Sequence, residues 1–191
     1  AIVPVHVFGN PCDVEAIQAI ADKHKLKVVY DAAHAFGSEY KDQSVLNFGD
    51  ISTLSFHSTK LFHTIEGGAV ITNDDELAKK VRLMINFGIS SPTSIESVGT
   101  NAKMNEFEAA MGLCVLDDVD TIRQRREDIW QVYTNELSNI VELQQWNKHG
   151  KNNCAYAPVL FENEDQLLKI EDKLKENDIL PRRYFYPSLD T

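Results

Sequence analysis

The chain has 191 residues, a formal net charge of −10 and a hydrophobic content of 43%. That length holds about one large domain, or one and a half small ones, with enough apolar material for a packed core. The acidic balance argues against nucleic acid or an anionic membrane surface as a partner, and the apolar stretches are too short to span a bilayer.

The first segment, Ile2–Val7, mixes β-branched residues with Pro4 and His6 and reads as a strand. Gly9-Asn10-Pro11 is a turn, and Asp13 can cap a helix from about Val14 to His24, with Val14, Ile17, Ile20 and Ala21 on one face. Lys27–Tyr30 is the next strand, so strand, helix and strand form a unit suited to a parallel crossover. Residues 36–50 read as irregular chain or short strands, Ile51–Phe56 as a third strand and Gly68–Thr72 as a fourth. Asn73 or Asp74 caps a helix ending near Ile85. Residues 86–101, rich in Gly, Ser, Pro and Thr, read as loop. Asn105–Leu116 and Val119–Leu137 read as two helices; Ile140–Leu143 and Ala155–Phe161 as strands; Glu164–Asn177 as a helix; Ile179–Leu180 as a short strand. The expected fold is α/β, a mostly parallel sheet with helices in residues 1–115, followed by a small α+β part in residues 116–191.

Cys12, Cys114 and Cys154 are widely spaced, fit no metal pattern and read as reduced thiols of a cytoplasmic protein. The chain opens directly in a strand pattern and stops at Pro187-Ser188-Leu189-Asp190-Thr191 with no closing element, so a fragment of a longer chain is expected.

Two charges stand out. Asp31 follows the apolar run Val28-Val29-Tyr30, and Lys60 follows Ile51–Phe56 through His57-Ser58-Thr59. Each charge belongs at the C-terminal end of a strand, where open α/β sheets bind ligands. A lone aspartate is more often a cap, and a lone lysine more often a surface charge. Together they match what pyridoxal phosphate (PLP) chemistry needs: an amine to form the Schiff base and an acid to keep the ring nitrogen protonated. His34 can lie on or beside such a ring, or it is a packed core histidine. Ser55 can bind the phosphate, and Gly67-Gly68 allow close backbone approach. His57 and His63 flank the lysine, but nothing near them keeps zinc-ligand spacing, so no metal is expected.

The chain resembles the DegT/DnrJ/EryC1/StrS family of PLP-dependent sugar aminotransferases, which share the fold-type I architecture of aspartate aminotransferase. Four segments match in order: Asp31-Ala32-Ala33-His34-Ala35-Phe36-Gly37; Ser55-Phe56-His57-Ser58-Thr59-Lys60 with Glu66-Gly67-Gly68; Gly99-Thr100-Asn101-Ala102-Lys103-Met104-Asn105 with Ala109-Ala110-Met111-Gly112; and Arg182-Arg183-Tyr184-Phe185-Tyr186-Pro187. Within the family the nearest likeness is to enzymes making 4-amino-4,6-dideoxy sugars on a dTDP carrier. The resemblance implies that Lys60 is the Schiff-base lysine and proton carrier, Asp31 the partner of the pyridinium nitrogen, His34 a contact of the ring and Ser55 a phosphate ligand. Asn101 would reach toward the phosphate in the neighbouring subunit's site of a homodimer. Glutamate is the implied amino donor and a nucleotide-linked keto-deoxysugar the acceptor, serving polysaccharide or glycan biosynthesis.

Lys60 itself separates the aminotransferases from the sugar dehydratase branch, which carries His there. Three departures from the family pattern are His34 in place of Gln, Lys103 in place of Arg, and Asp190 where many members carry His. On this view residues 1–115 are the C-terminal part of the large PLP-binding domain and residues 116–191 an incomplete small domain. The alternatives are another fold-type I PLP enzyme, such as a cysteine desulfurase or amino-acid transaminase, and a PLP-fold fragment without turnover.

Overall fold

The computed structural model describes residues 1–188 and 190; Leu189 and Thr191, of the terminal segment read above, lie outside the described residues. The chain forms a mixed α/β structure.

Residues 2–6 run parallel to the first strand but make only two isolated bridges, Ile2 to Val28 and Val5 to Asp31, in place of the continuous strand expected there. Pro4 is the reason. Its carbonyl accepts from the Asp31 N–H at 2.9 Å, but it has no N–H to return, so the ladder is interrupted. The chain then tightens into a 3-10 turn at Val7–Gly9, with Phe8 left-handed at φ 56°.

Helix α1 (Val14–His24) starts at Asp13, whose side chain accepts from the Ala16 N–H at 3.0 Å. Val14 and Ala21 are buried and Ile17 packs partly against them, whereas Ile20 is exposed. At about 100° per residue, Ile20 sits roughly 90° from the middle of the stripe, so it falls off the face assigned to it.

Four strands follow: β1 (Val29–Asp31), β2 (Glu39–Tyr40), β3 (Gln43–Ser44) and β4 (Ile51–Ser55), with β5 (Gly68–Ile71) after the lysine segment. The main sheet runs β1-β4-β5. β1 and β4 are parallel, with Asp31 opposite Thr53, while β5 returns antiparallel, with Gly68 opposite Ser55. Any Cβ at Gly68 would stand 2.6 Å from the Leu54 carbonyl oxygen, so the glycine is what lets β5 close on β4. The core under this sheet is Val14, Ala21, Val28, Tyr30, Ala32, Ala35, Tyr40 and Val45.

Helix α2 (Asp75–Met84) is capped by Asp74, which accepts from the N–H groups of Glu76 and Leu77. The stretch expected as loop contains a hairpin, β6 (Ile89–Ser91) and β7 (Ser94–Ile95). The two helices expected next are one, α3 (Glu106–Leu137), opened by an Asn105 capping box with Glu108 and running unbroken through residues 115 and 116. Asp117 and Asp118, which look like a break, are solvent-facing and leave its backbone ladder intact.

The remaining elements are β8 (Glu142–Leu143), β9 (Gly150–Lys151), β10 (Val159–Leu160) and α4 (Glu164–Lys175). β9 pairs with β2, tying the C-terminal half to the sheet region, and β10 pairs with β8. Both strands expected around 140–143 and 155–161 are thus shorter than anticipated. The strand expected at Ile179–Leu180 does not form: the Ile179 N–H donates to the Leu174 carbonyl, closing the end of α4 after a left-handed Asp178. Among the described residues no helix is long and apolar enough to cross a membrane.

Candidate active site

Parallel pairing of β1 and β4 brings their carboxyl ends to the same side of the sheet. Asp31 is the last residue of β1; Ser55 is the last of β4, with Lys60 one turn beyond it. One oxygen of Asp31, Oδ1, accepts from the Ala33 N–H at 3.0 Å, and its other oxygen has no hydrogen-bond partner among the described residues. Lys60 is half-buried. Its backbone N–H donates to the His57 carbonyl at 2.9 Å, while its Nζ makes no hydrogen bond or ion pair among the described residues.

His34 links the two. Burial lowers its pKa below the ordinary histidine value, the positive charge of Lys60 lowers it further, and the charge of Asp31 opposes both. Both charged groups therefore act on one imidazole. Its Nδ1 accepts from the Phe8 N–H at 3.0 Å, which assigns the proton of the neutral ring to Nε2. The ring stacks with Phe8 at 5.9 Å and tilts against Tyr156 at 4.6 Å. Tyr184 and Phe185 also pack against Phe8, and Tyr184 meets Tyr156 edge-on.

This aromatic wall went unrecognised in the sequence. Phe8 before Gly9 at a strand end is a local signal for it; Tyr156 and Tyr184 lie too far along the chain for spacing to reveal them.

The segment around Lys60 is locked by its neighbours. Leu61, Phe62 and Thr64 are buried, and Phe62 stacks on Phe36 at 4.7 Å and meets Phe56 edge-on at 4.8 Å. His57 shares a hydrogen bond with Thr59 Oγ1 at 2.8 Å, and its Nε2 lies 3.6 Å from a Glu66 oxygen. A cavity of about 400 Å³ lies against Lys60, with Thr59 and His63 on one wall and Met111, Cys114 and Asp118 of α3 on the other. Asp31 and His34 do not line it. Ser55 Oγ accepts a long bond from the His57 N–H, 3.4 Å.

Asn101 is exposed and stands apart from this group. Its Oδ1 accepts from Lys103 Nζ at 2.7 Å, and Lys103 in turn sits over the Phe87 ring.

A carboxylate and a primary amine without ion-pair partners among the described residues, a hydroxyl and a neutral imidazole, on or just beyond the ends of adjoining strands, are a donor set that fits PLP, which needs an acid, an amine and polar contacts for its phosphate.

Comparison with known proteins points the same way. The pattern of the DegT/DnrJ/EryC1/StrS aminotransferase family matches residues 1–191. The chain is 46% identical over 191 residues to a dTDP-4-amino-4,6-dideoxy-D-glucose transaminase of Shigella dysenteriae, covering 98% of this chain and 52% of that protein. It is 33% identical to a GDP-perosamine synthase of Escherichia coli O157:H7, again across 98% of this chain and 52% of the relative. The crystal structure of DesI with its TDP-sugar product superposes with a TM-score of 0.88 at 35% identity, covering 98% of this chain and 49% of that one. The Helicobacter pylori aminotransferase PseC, of pseudaminic acid biosynthesis, gives 0.88 at 32% identity, covering 98% and 53%. The chain thus spans about half the length of the curated relatives it matches. Aminotransferases of this family depend on PLP and share the fold-type I architecture. With its whole length matched and its strand ends carrying the donor set, the chain belongs to the DegT/DnrJ/EryC1/StrS aminotransferase family.

Proposed function

We propose that this chain is the PLP-holding part of an aminotransferase that moves an amino group from glutamate to a nucleotide-linked keto-deoxysugar, a dTDP-4-keto-6-deoxyhexose being the favoured case, in a cytoplasmic homodimer. The observation that carries the proposal is the placement of Asp31 and the Lys60 segment at the carboxyl ends of the paired parallel strands β1 and β4, with the Lys60 amine and one Asp31 oxygen free of hydrogen-bond partners among the described residues. The Shigella relative's name supports the dTDP-linked sugar.

When bound, PLP supplies the electron sink that lets an amino donor lose its α-proton. Lys60 would bind the cofactor through Nζ and, in turnover, move a proton at that same atom. Asp31 would orient the ring by accepting from its pyridine N–H, and its negative charge would keep that nitrogen protonated. Ser55 Oγ would hold the phosphate. His34, neutral and fixed by the Phe8 N–H, would lie beside the ring as a flat hydrogen-bonding group. Asn101, exposed and outside the group, would serve the partner subunit's phosphate.

The test is full-length protein given PLP, glutamate and candidate dTDP- and UDP-keto sugars, with product read by mass. The amino sugar is expected with wild type and not with Lys60→Ala. A Lys60→Ala enzyme that transaminates at the wild-type rate overturns the assignment.

A further inference from the structure

Helix α3 has a single buried residue among those described, and it is a glycine, Gly112. Its φ is not in the positive range that favours glycine, so nothing in the backbone demands it. Alanine is the better helix former at an interior position. The reason for glycine is steric. A Cβ there would stand 2.9 Å from Thr64 Cγ2 and 3.6 Å from Phe62 Cζ. Both partners belong to the segment that carries Lys60, and both are buried. Phe62 is pinned between Phe36 and Phe56, and Thr64 Oγ1 donates to the Glu66 carbonyl while its N–H donates to the Phe56 carbonyl at 2.9 Å. Thr64 is thus tied at both ends of the lysine turn and cannot yield without moving that turn, while Phe62 at 3.6 Å stays in ordinary contact.

We infer that Gly112 is a positioning residue for Lys60: the bare helix surface at this position seats Thr64 and Phe62 and so fixes where the Lys60 amine stands. The inference rests on Lys60 being the cofactor-binding lysine proposed above. A methyl group at residue 112 pushes on Thr64 and displaces the turn, and a displacement of about 1 Å in a catalytic group costs up to about a hundredfold in rate. The same substitution leaves α3 itself as well formed as before or better. Chemistry and stability therefore separate.

The test uses the full-length holoenzyme as wild type, Gly112→Ala, and Gly112→Ala with Thr64→Ser. The serine keeps the hydroxyl that bonds the Glu66 carbonyl and removes the clashing methyl. Three quantities are read: kcat and KM separately, the pH midpoint of the cofactor's visible absorption, and borohydride labelling of Lys60. Gly112→Ala is expected to lower kcat by about tenfold to a hundredfold with little change in KM, to shift the absorption midpoint, and to melt within a few degrees of wild type. The double variant is expected to return kcat and midpoint most of the way. Wild-type kcat and midpoint in Gly112→Ala overturn the inference, as does a double variant no better than the single. Should the single variant fail to fold, a soluble double variant with labelled Lys60 supports the clash, and an insoluble one overturns it. If borohydride fixes nothing on wild-type Lys60, the cofactor assignment falls and takes the inference with it; a labelled wild type with an unaffected Gly112→Ala overturns the inference alone.

Discussion

Tyr30 on β1 and Phe107 on α3 are both large aromatic residues, yet Tyr30 is 1% exposed and Phe107 is 89% exposed. The contrast holds for their surroundings. Among the described residues, all the buried hydrophobic residues except Leu61 and Phe62 of the lysine segment fall between Val14 and Val45, whereas Leu113 and Leu116 of α3 stand open and no residue of α2 or α4 is buried. The sheet region thus holds most of the core, and Asp31 grows from the end of β1, next to the fully buried Tyr30. Helix α3 offers apolar side chains outward, and Gly112, lying against Thr64 and Phe62 of the lysine segment, is its buried residue among those described. Rigidity for the acid comes from burial; rigidity for the amine comes from a seat on a helix that is otherwise lightly packed.

Several substitutions sharpen or break that contrast. The largest effect is expected at the site: Asp31→Asn in the full-length enzyme should lower kcat by about a hundredfold or more, because a neutral amide no longer holds the ring nitrogen charged. Steady-state kinetics checks this, and folding should be unchanged by circular dichroism.

Next comes the core. Tyr30→Ala should cost about 3–5 kcal/mol, measured by urea unfolding. The same truncation on the open face, Leu113→Ala, should cost under about 0.5 kcal/mol. Equal costs would erase the contrast between the two regions.

Acid should act on the sheet region through His6, which is fully buried and stacked on Tyr30 at 4.6 Å. Burial pulls its pKa down to about 4, against a weaker opposing pull from Asp31. A lowered pKa means that the unfolded chain binds the proton more readily. His6 therefore contributes fully above the unfolded value near 6.5, and that contribution is lost as pH falls through 6.5 toward 4, to a total of about 3 kcal/mol. Urea midpoints between pH 7.5 and 4 should fall accordingly. His6→Asn should lower stability at pH 7.5, since the Cys12 N–H loses the Nδ1 it donates to at 3.0 Å, yet flatten the pH dependence.

The smallest effect is at the helix start: Asn105→Ala should cost about 1 kcal/mol by removing the cap that accepts from Phe107 and Glu108.

Much of this was legible in the residues. Val28-Val29-Tyr30 and Ile51–Leu54 announce buried strands, and a charge at the end of each is visible as a break in hydropathy. Asp13, Asp74 and Asn105 announce their helices through capping chemistry. What escaped depends on contacts or on weak local pattern. The hairpin at Ile89–Ile95 is built from Ser, Thr and Pro without alternation. The unity of α3 hides behind Asp117-Asp118, because exposed acids are compatible with helix as well as loop. The wall around His34 joins Phe8, Tyr156 and Tyr184, and the pairing of β2 with β9 joins Glu39 to Lys151; neither has a periodic signature.

The central claim is that Lys60 and Asp31 serve one cofactor. Its most direct measurement is borohydride reduction of the PLP-loaded full-length protein, followed by peptide mapping. A single phosphopyridoxyl-bearing peptide containing Lys60 is expected, with the visible absorption of the unreduced Asp31→Asn variant changed relative to wild type. A label on a different lysine, or no label on any, would contradict it.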